Sequence, residues 1–224
     1  MHDFIVHPPE IIRHIFRRYT WKLVPENEDE KVLYLTFDDG PIPEMTPGTL
    51  DILAKYGAKA TFFCVGDNVR KYPGIFQRII DEGHSVGNHT YNHLNGLATK
   101  VSDYINNVRL ADPLINSNLF RPPHGRLKHR QTVALAKERK IILWDVLTRD
   151  YDSRVSPERC WSNVYNNVSN GAIIVFHDNI KAMENQRFAL QKTLMQYFND
   201  GYTFKAIPYE NIFTDASTNV GMPN

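Results

Sequence analysis

Residues 31–41 read Lys-Val-Leu-Tyr-Leu-Thr-Phe-Asp-Asp-Gly-Pro. A run of aliphatic, β-branched and aromatic residues that stops abruptly at a polar turn is the pattern of a short buried strand. Two carboxylates side by side at such a strand end repel one another, so one of them needs a cation or an arginine beside it. Gly40-Pro41 turns the chain at once and holds Asp38 and Asp39 at the rim.

The same motif of strand and polar end recurs along the chain. Runs at 60–65 (ATFFCV), 85–89 (SVGNH), 119–122 (LFRP), 141–146 (IILWDV), 172–177 (AIIVFH) and 202–207 (YTFKAI) read as further strands. Helical patterns fill the gaps at 46–56, 73–82, 101–116, 130–139, 157–168 and 187–200, and Gly83, Gly171 and Gly201 stand at helix-to-strand joints as left-handed caps. Seven strand–helix units predict an α/β fold with a parallel sheet and outer helices. Six successive strand ends carry charged or metal-binding side chains: Asp38-Asp39, Asp67, His89, Arg121, Asp145 with Asp150, and His177-Asp178. That distribution fits a barrel of βα units, whose chemistry gathers at the C-terminal strand ends. An open sheet concentrates its site at one switch point behind a glycine-rich turn, and no such string exists here. The expectation is a (β/α) barrel of seven parallel strands.

Composition bounds the function. The 224 residues are 42% apolar and 23% charged, which excludes a disordered or collagen-like chain. Twenty-six Lys and Arg against 25 Asp and Glu leave +1, without the basic excess of a nucleic-acid binder. Cys64 and Cys160 sit in apolar runs and read as buried thiols. Residues 1–30 read as an N-terminal helix and linker packed on a catalytic domain at 31–210, with a tail at 211–224. Within 10–23, Ile11, Ile12, Ile15 and Phe16 share one helical face and Arg13, Arg17 and Arg18 lie largely opposite. A surface helix with its apolar face on the domain is the first reading, and a membrane-surface anchor the second. No stretch is apolar enough to span a membrane, and the N-terminus lacks a basic region followed by an apolar one, so a cytoplasmic location is expected.

His89-Thr-Tyr-Asn-His93 places two imidazoles four residues apart, where one helical turn brings them to the same ion. With an aspartate from 38–39 they make an Asp-His-His set suited to an open Zn²⁺-type site, completed by water. A hydrolysis there still needs a base and an acid. One of Asp38 and Asp39 can be the base if the other is a ligand, and His177 is the candidate acid.

Five segments in order, Thr-Phe-Asp-Asp-Gly-Pro (36–41), His-Thr-x-x-His (89–93), Arg-Pro-Pro-His-Gly (121–125), Asp-Tyr (150–151) and Val-Phe-His (175–177), resemble the motifs of NodB-like polysaccharide deacetylases, the family-four carbohydrate esterases. The resemblance spans roughly 33–207. It implies a distorted barrel and removal of acetyl groups, most often N-acetyl, from a glycan such as peptidoglycan or chitin-type oligosaccharide. It implies a divalent metal, zinc first and cobalt, nickel or manganese as alternatives, on Asp39, His89 and His93. Asp38 resembles the base, Arg121 the arginine that pairs with it, His177 the acid and Asp150 its orienting carboxylate. The mechanism it implies is attack of water on the acetyl carbonyl, in which a backbone N–H after Arg121 would support the oxyanion and the metal would supply positive charge beside it.

Three positions depart from the family pattern: His124 for Tyr, Tyr151 for Trp, and Val175 for Leu. None removes a chemical role. With Pro123, His124 and Tyr151 are expected to shape the sugar-binding wall. An O-acetyl xylan or glycan esterase, a silent glycan-binding barrel and a two-carboxylate glycosidase are the competing readings. The expected partner is an acetylated glycan, with no nucleic acid; membrane contact would run through the N-terminal helix.

Overall fold

The computed structural model describes residues 6–25, 27 and 29–213. Residues 1–5, Glu26 and Glu28 of the expected N-terminal helix and linker, and the tail expected at 211–224 beyond residue 213, lie outside the described residues. In chain order the elements are α1 (Glu10–Ile15), β1 (Tyr19–Thr20), β2 (Val32–Asp38), α2 (Thr46–Ala54), β3 (Ala60–Cys64), α3 (Gly66–Lys71) and α4 (Pro73–Asp81). They continue with β4 (Ser85–Asn88), α5 (Val101–Ile115), β5 (Leu119–Phe120), α6 (His129–Leu135), β6 (Lys140–Ile142) and β7 (Val146–Leu147). The last are α7 (Pro157–Tyr165), β8 (Ile173–His177), α8 (Met183–Asn199) and β9 (Thr203–Phe204).

All strand pairs are parallel, in the order β1-β6-β5-β4-β3-β2-β8-β7, with β9 beside the start of β2. The sheet curls until both sides reach one stretch of chain: residues 140–142 pair with β5 and residues 146–147 pair with β8. This is the expected barrel, distorted and with nine strands among the described residues instead of seven. The strand expected at 141–146 divides into β6 and β7 because it changes partner midway, and β1 adds an outer strand against β6.

Strand β2 is buried along its whole length, and its alternation organises the core. Leu33, Leu35 and Phe37 join the layer under the helices, where Phe37 stacks on Phe62 (5.0 Å) and Phe176 (5.5 Å). Val32 and Tyr34 face the other way and pack with Phe63, Leu119, Ile142, Ile173 and Ile207. Thr36 and Asp38 continue that second face, so the carboxylate rises out of the apolar barrel interior. Cys64 and Cys160 are both buried and free, and burial raises both thiols, Cys160 to about 12.

Gly87 in β4 is required by a close approach: a Cβ there lies 2.5 Å from the Phe63 ring. Phe63 cannot retreat, because the Arg121 guanidinium sits 4.1 Å from its ring centroid. Gly87→Ala is expected to cost roughly 1–3 kcal/mol by overpacking, read as a lower thermal midpoint; an unchanged midpoint means the ring has room to move.

The N-terminal segment departs from expectation. The helix stops at Ile15, and Ile11, Ile15 and Phe16 are 63%, 64% and 46% exposed. Arg13 instead turns inward, its Nη2 2.5 Å from Asp145 Oδ1, and His7 Nδ1 is 3.5 Å from the same atom. Asp145 is fully buried, and a buried carboxylate without a cation costs several kcal/mol. That need outranks burial of three side chains, so the polar side of the segment faces the barrel. Of the neighbours Trp144 and Asp145, the acid is thus the one that faces inward.

Candidate active site

The strand ends deliver the site. Thr36 and Asp38 share the inner face of β2, and Arg121, fully buried, donates from Nη1 to Thr36 Oγ1 (2.7 Å) and Asp38 Oδ1 (2.7 Å). Its Nε and Nη2 donate to the carbonyls of Ile142 (3.2 Å) and Leu143 (2.9 Å). Burial lowers the guanidinium from its ordinary value and Asp38 works against that shift. The guanidinium is therefore held on four acceptors, and Asp38 has a fixed counter-charge.

Asp39 leaves the strand alternation with φ 79°, which turns its side chain to the mouth. Asn68 Nδ2 holds its carbonyl (2.8 Å), and Asn179 Nδ2 donates to its Oδ2 (2.6 Å). Oδ1 is left buried with no hydrogen-bond partner among the described residues. It faces His93 Nε2 at 3.1 Å and His89 Nε2 at 3.6 Å. Burial opposes the charge on Asp39, but the two imidazoles outweigh it and hold the carboxyl well below the usual range.

This donor set fits a divalent ion. Ligand atoms sharing one ion at about 2.0–2.1 Å lie about 3.3 Å apart in a tetrahedral shell, and the two separations bracket that value. His89 Nδ1 is 2.8 Å from the Arg121 carbonyl, so it is the N–H donor and Nε2 is the lone-pair face. The three side chains are the one such cluster of Asp, Glu, His and Cys among the described residues.

The two histidines do not share a helical turn as expected. His89 follows β4 and His93 lies in an irregular loop in which Thr90 (φ 65°) and His93 (φ 56°) are left-handed. Asn88 Oδ1 accepts from Thr90 N (2.8 Å), and Asn107 Oδ1 accepts from Tyr91 N (2.9 Å) and Asn92 N (3.1 Å). Strained backbone of this kind persists where the surroundings over-determine it.

On the other side, β8 pairs with β2 so that His177 stands opposite Asp38. Asp150, fully buried, grips this residue twice: Oδ1 is 2.7 Å from His177 Nδ1, and Oδ2 accepts from His177 N at 2.8 Å. Burial disfavours the imidazolium, yet Asp150, with Asp39 and Asp38 behind it, pushes His177 up to about 9. The neighbouring Asp178 donates its N–H to the Asp38 carbonyl (2.7 Å) and accepts from Thr46 and Thr49, while burial pushes its carboxyl up to about 7.

His124 and Tyr151 stand at the rim. His124 is exposed, left-handed at φ 60°, with its ring 5.0 Å from that of His93. Tyr151 is exposed and meets His177 edge-on at 4.6 Å. Pro123 is buried, so it shapes the loop and offers no wall to a sugar. Beside Asp39 and His93 lies a cavity of about 550 Å³, lined also by Ile42, Asn179 and Lys181. Asp67 lines it too but is paired with Arg70 (2.8 Å) and Lys71 (2.6 Å). His84 is structural: its Nδ1 accepts from Ala60 N (3.1 Å), and burial pushes it down to about 4.

Sequence reasoning missed Asn179, which stands two residues beyond His177; an amide that close to a catalytic histidine is the only local signal it offered.

The chain is similar to known proteins in both sequence and fold. Residues 26–141 match the polysaccharide deacetylase family model. A peptidoglycan-N-acetylglucosamine deacetylase of Bacillus cereus is 35% identical over 192 residues, 82% of this chain and 69% of that protein. The peptidoglycan-N-acetylmuramic acid deacetylase PdaC of Bacillus subtilis is 33% identical over 156 residues, 67% of this chain and 33% of its own length. The solved structure of the Bc1960 peptidoglycan N-acetylglucosamine deacetylase superposes with a TM-score of 0.79 at 31% identity, covering 88% of this chain and 94% of that one.

Proposed function

This chain belongs to the polysaccharide deacetylase family, and from that premise we propose that it removes N-acetyl groups from the amino sugars of peptidoglycan. It is a polysaccharide deacetylase, a hydrolase. The reading of its chemistry rests on one observation: the Asp39, His89, His93 cluster lies beside an arginine-paired aspartate and an aspartate-paired histidine. The substrate reading is supported by what the similar proteins are named to act on.

Asp39, His89 and His93 hold a divalent ion, zinc first, which supplies a Lewis acid for the acetyl carbonyl and lowers the pKa of water. Asp38 takes the proton of the attacking water, and Arg121 Nη1 holds its Oδ1 and aims the carboxylate. Pro122 and Pro123 have no N–H, so the first backbone donor after Arg121 is that of His124, which offers itself to the developing oxyanion. His177, charged at neutral pH because of Asp150, donates its proton to the departing amine. An amine leaves poorly as an anion, which is why the acid is needed. His124 and Tyr151 form the walls against which the sugar packs.

Acetate release tests this against peptidoglycan fragments, chitooligosaccharides and acetyl-xylan, each with and without chelator. Release from the peptidoglycan fragments that chelator abolishes is the expected result; release from acetyl-xylan alone makes the chain an O-acetyl esterase, and chelator-insensitive turnover removes the metal. Purified protein is also expected to carry about one divalent ion per chain, lost in a His89→Ala, His93→Ala double variant. Equal metal content in both proteins, by elemental analysis, overturns the ligand assignment.

A further inference from the structure

The N-terminal segment spends its polar side on the barrel. Arg13 and His7 reach the buried Asp145, and Arg13 Nε also donates to the Pro8 carbonyl at 2.8 Å. Ile11 and Ile15, four residues apart on α1, therefore point outward together, and Phe16 follows them. Phe16 stacks on Tyr19 with ring centroids 5.9 Å apart and planes 1° from parallel, and Trp21 Nε1 donates to the Phe16 carbonyl at 3.3 Å. Arg17 and Arg18, next in sequence, are exposed, and neither pairs with an acid among the described residues. The result is an apolar ridge with an aromatic edge and two uncompensated cations, fixed in place by an ion pair beneath it.

We propose that residues 11–21 form a docking patch for the surface of an anionic lipid bilayer. Two features select this occupant. An apolar face flanked by arginines enters the boundary between headgroups and acyl chains, where anionic phosphates neutralise the cations. Trp21 is of the amphipathic aromatic type that favours that same depth, while Tyr19, bonded through its hydroxyl to Thr132, backs the Phe16 ring from the protein side. A second copy of the chain fits less well, because a twofold contact through this patch brings Arg17 and Arg18 toward their own counterparts, and like charges repel. No helix among the described residues is long and apolar enough to cross a membrane, so the contact is peripheral. The patch uses none of the active-site residues, and the inference stands or falls apart from the deacetylase reading.

The test is co-sedimentation of the protein with vesicles of phosphatidylglycerol and phosphatidylcholine, and with vesicles of phosphatidylcholine alone. Binding is expected on the anionic vesicles, weakened by salt, with a blue shift in tryptophan emission that disappears in Trp21→Phe. Arg17→Gln with Arg18→Gln is expected to weaken binding roughly tenfold or more, at about fivefold per arginine near the surface. Ile15→Ser with Phe16→Ser is expected to abolish the emission shift. All these side chains lie outside the core, so thermal midpoints and turnover of a soluble fragment stay at their starting values. No binding to anionic vesicles overturns the proposal, as does equal binding by both double variants. A dimer that Ile15→Ser, Phe16→Ser dissociates, in protein that ignores vesicles, assigns the patch to a second copy instead.

Discussion

Asp38→Asn and His177→Ala are each expected to lower kcat by roughly 10²–10⁴, the usual worth of one positioned proton-transfer group, while KM moves less. Asparagine is the informative replacement at position 38. It keeps an oxygen for Arg121 Nη1, which stands 2.7 Å from Oδ1, while it removes the capacity to take a proton and the charge opposite the guanidinium. Alanine there leaves a fully buried guanidinium facing no charge, at a cost of about 3–5 kcal/mol. Lost activity would then be confused with lost folding. At position 177 alanine takes the cation from the fully buried Asp150 and leaves it only the backbone N–H on Oδ2, so a lower thermal midpoint is expected there. Acetate release reduced as stated, measured at a temperature below the thermal midpoint of each variant, bears out the assignment. Near-normal turnover in Asp38→Asn, together with a full complement of metal in Asp39→Asn, forces the two aspartates to exchange roles.

Strand β2 shows why this much of the molecule was legible beforehand. Its burial is continuous, its residues are β-formers, and Gly40-Pro41 ends it, so composition alone placed Asp38 and Asp39 at a rim. The metal-ligand pair was legible as residue types but not as a conformation. The loop 89–93 is shaped by Asn88 and by Asn107, one of them from a helix 14 or more residues away, and no local pattern announces that. Asn179 acts across 140 positions on Asp39, and Arg13 across 132 on Asp145. The second case reversed a face. Periodicity put Ile11, Ile15 and Phe16 inward because it weighs apolar area, whereas the fold had a buried acid to satisfy. Helix α3 escaped notice because it is six residues long, starts at a glycine and runs straight into Tyr72-Pro73.

The same tertiary logic governs the pH profile, where Asp150→Asn is expected to move the alkaline limb of kcat/KM down by about 1–3 units, the usual worth of one adjacent opposite charge. His177 must be protonated to serve the leaving amine. Burial alone drives it toward the neutral form, and it is Asp150, at 2.7 Å, that reverses this and lifts it to about 9. Asp39 and Asp38 add smaller contributions in the same direction, and Asp178 and Tyr151 complete its surroundings. Asparagine at 150 keeps a hydrogen-bond acceptor for Nδ1 but no charge, so the burial penalty is no longer outweighed. The sign follows: a raised pKa holds the acid charged up to about pH 9, and a lowered one empties it progressively above neutrality. Turnover of the variant therefore falls most at pH 8–9 and least near pH 6, where the largest share of its imidazole is protonated. Stability carries the same signature. The contribution of the raised His177 pKa is fully present below the unfolded value of about 6.5 and disappears as pH rises through about 9. Asp150→Asn is thus expected to lose more thermal stability near neutral pH than at pH 10. An alkaline limb that stays in place shows that His177 is not the titrating acid, whatever its distance from Asp150.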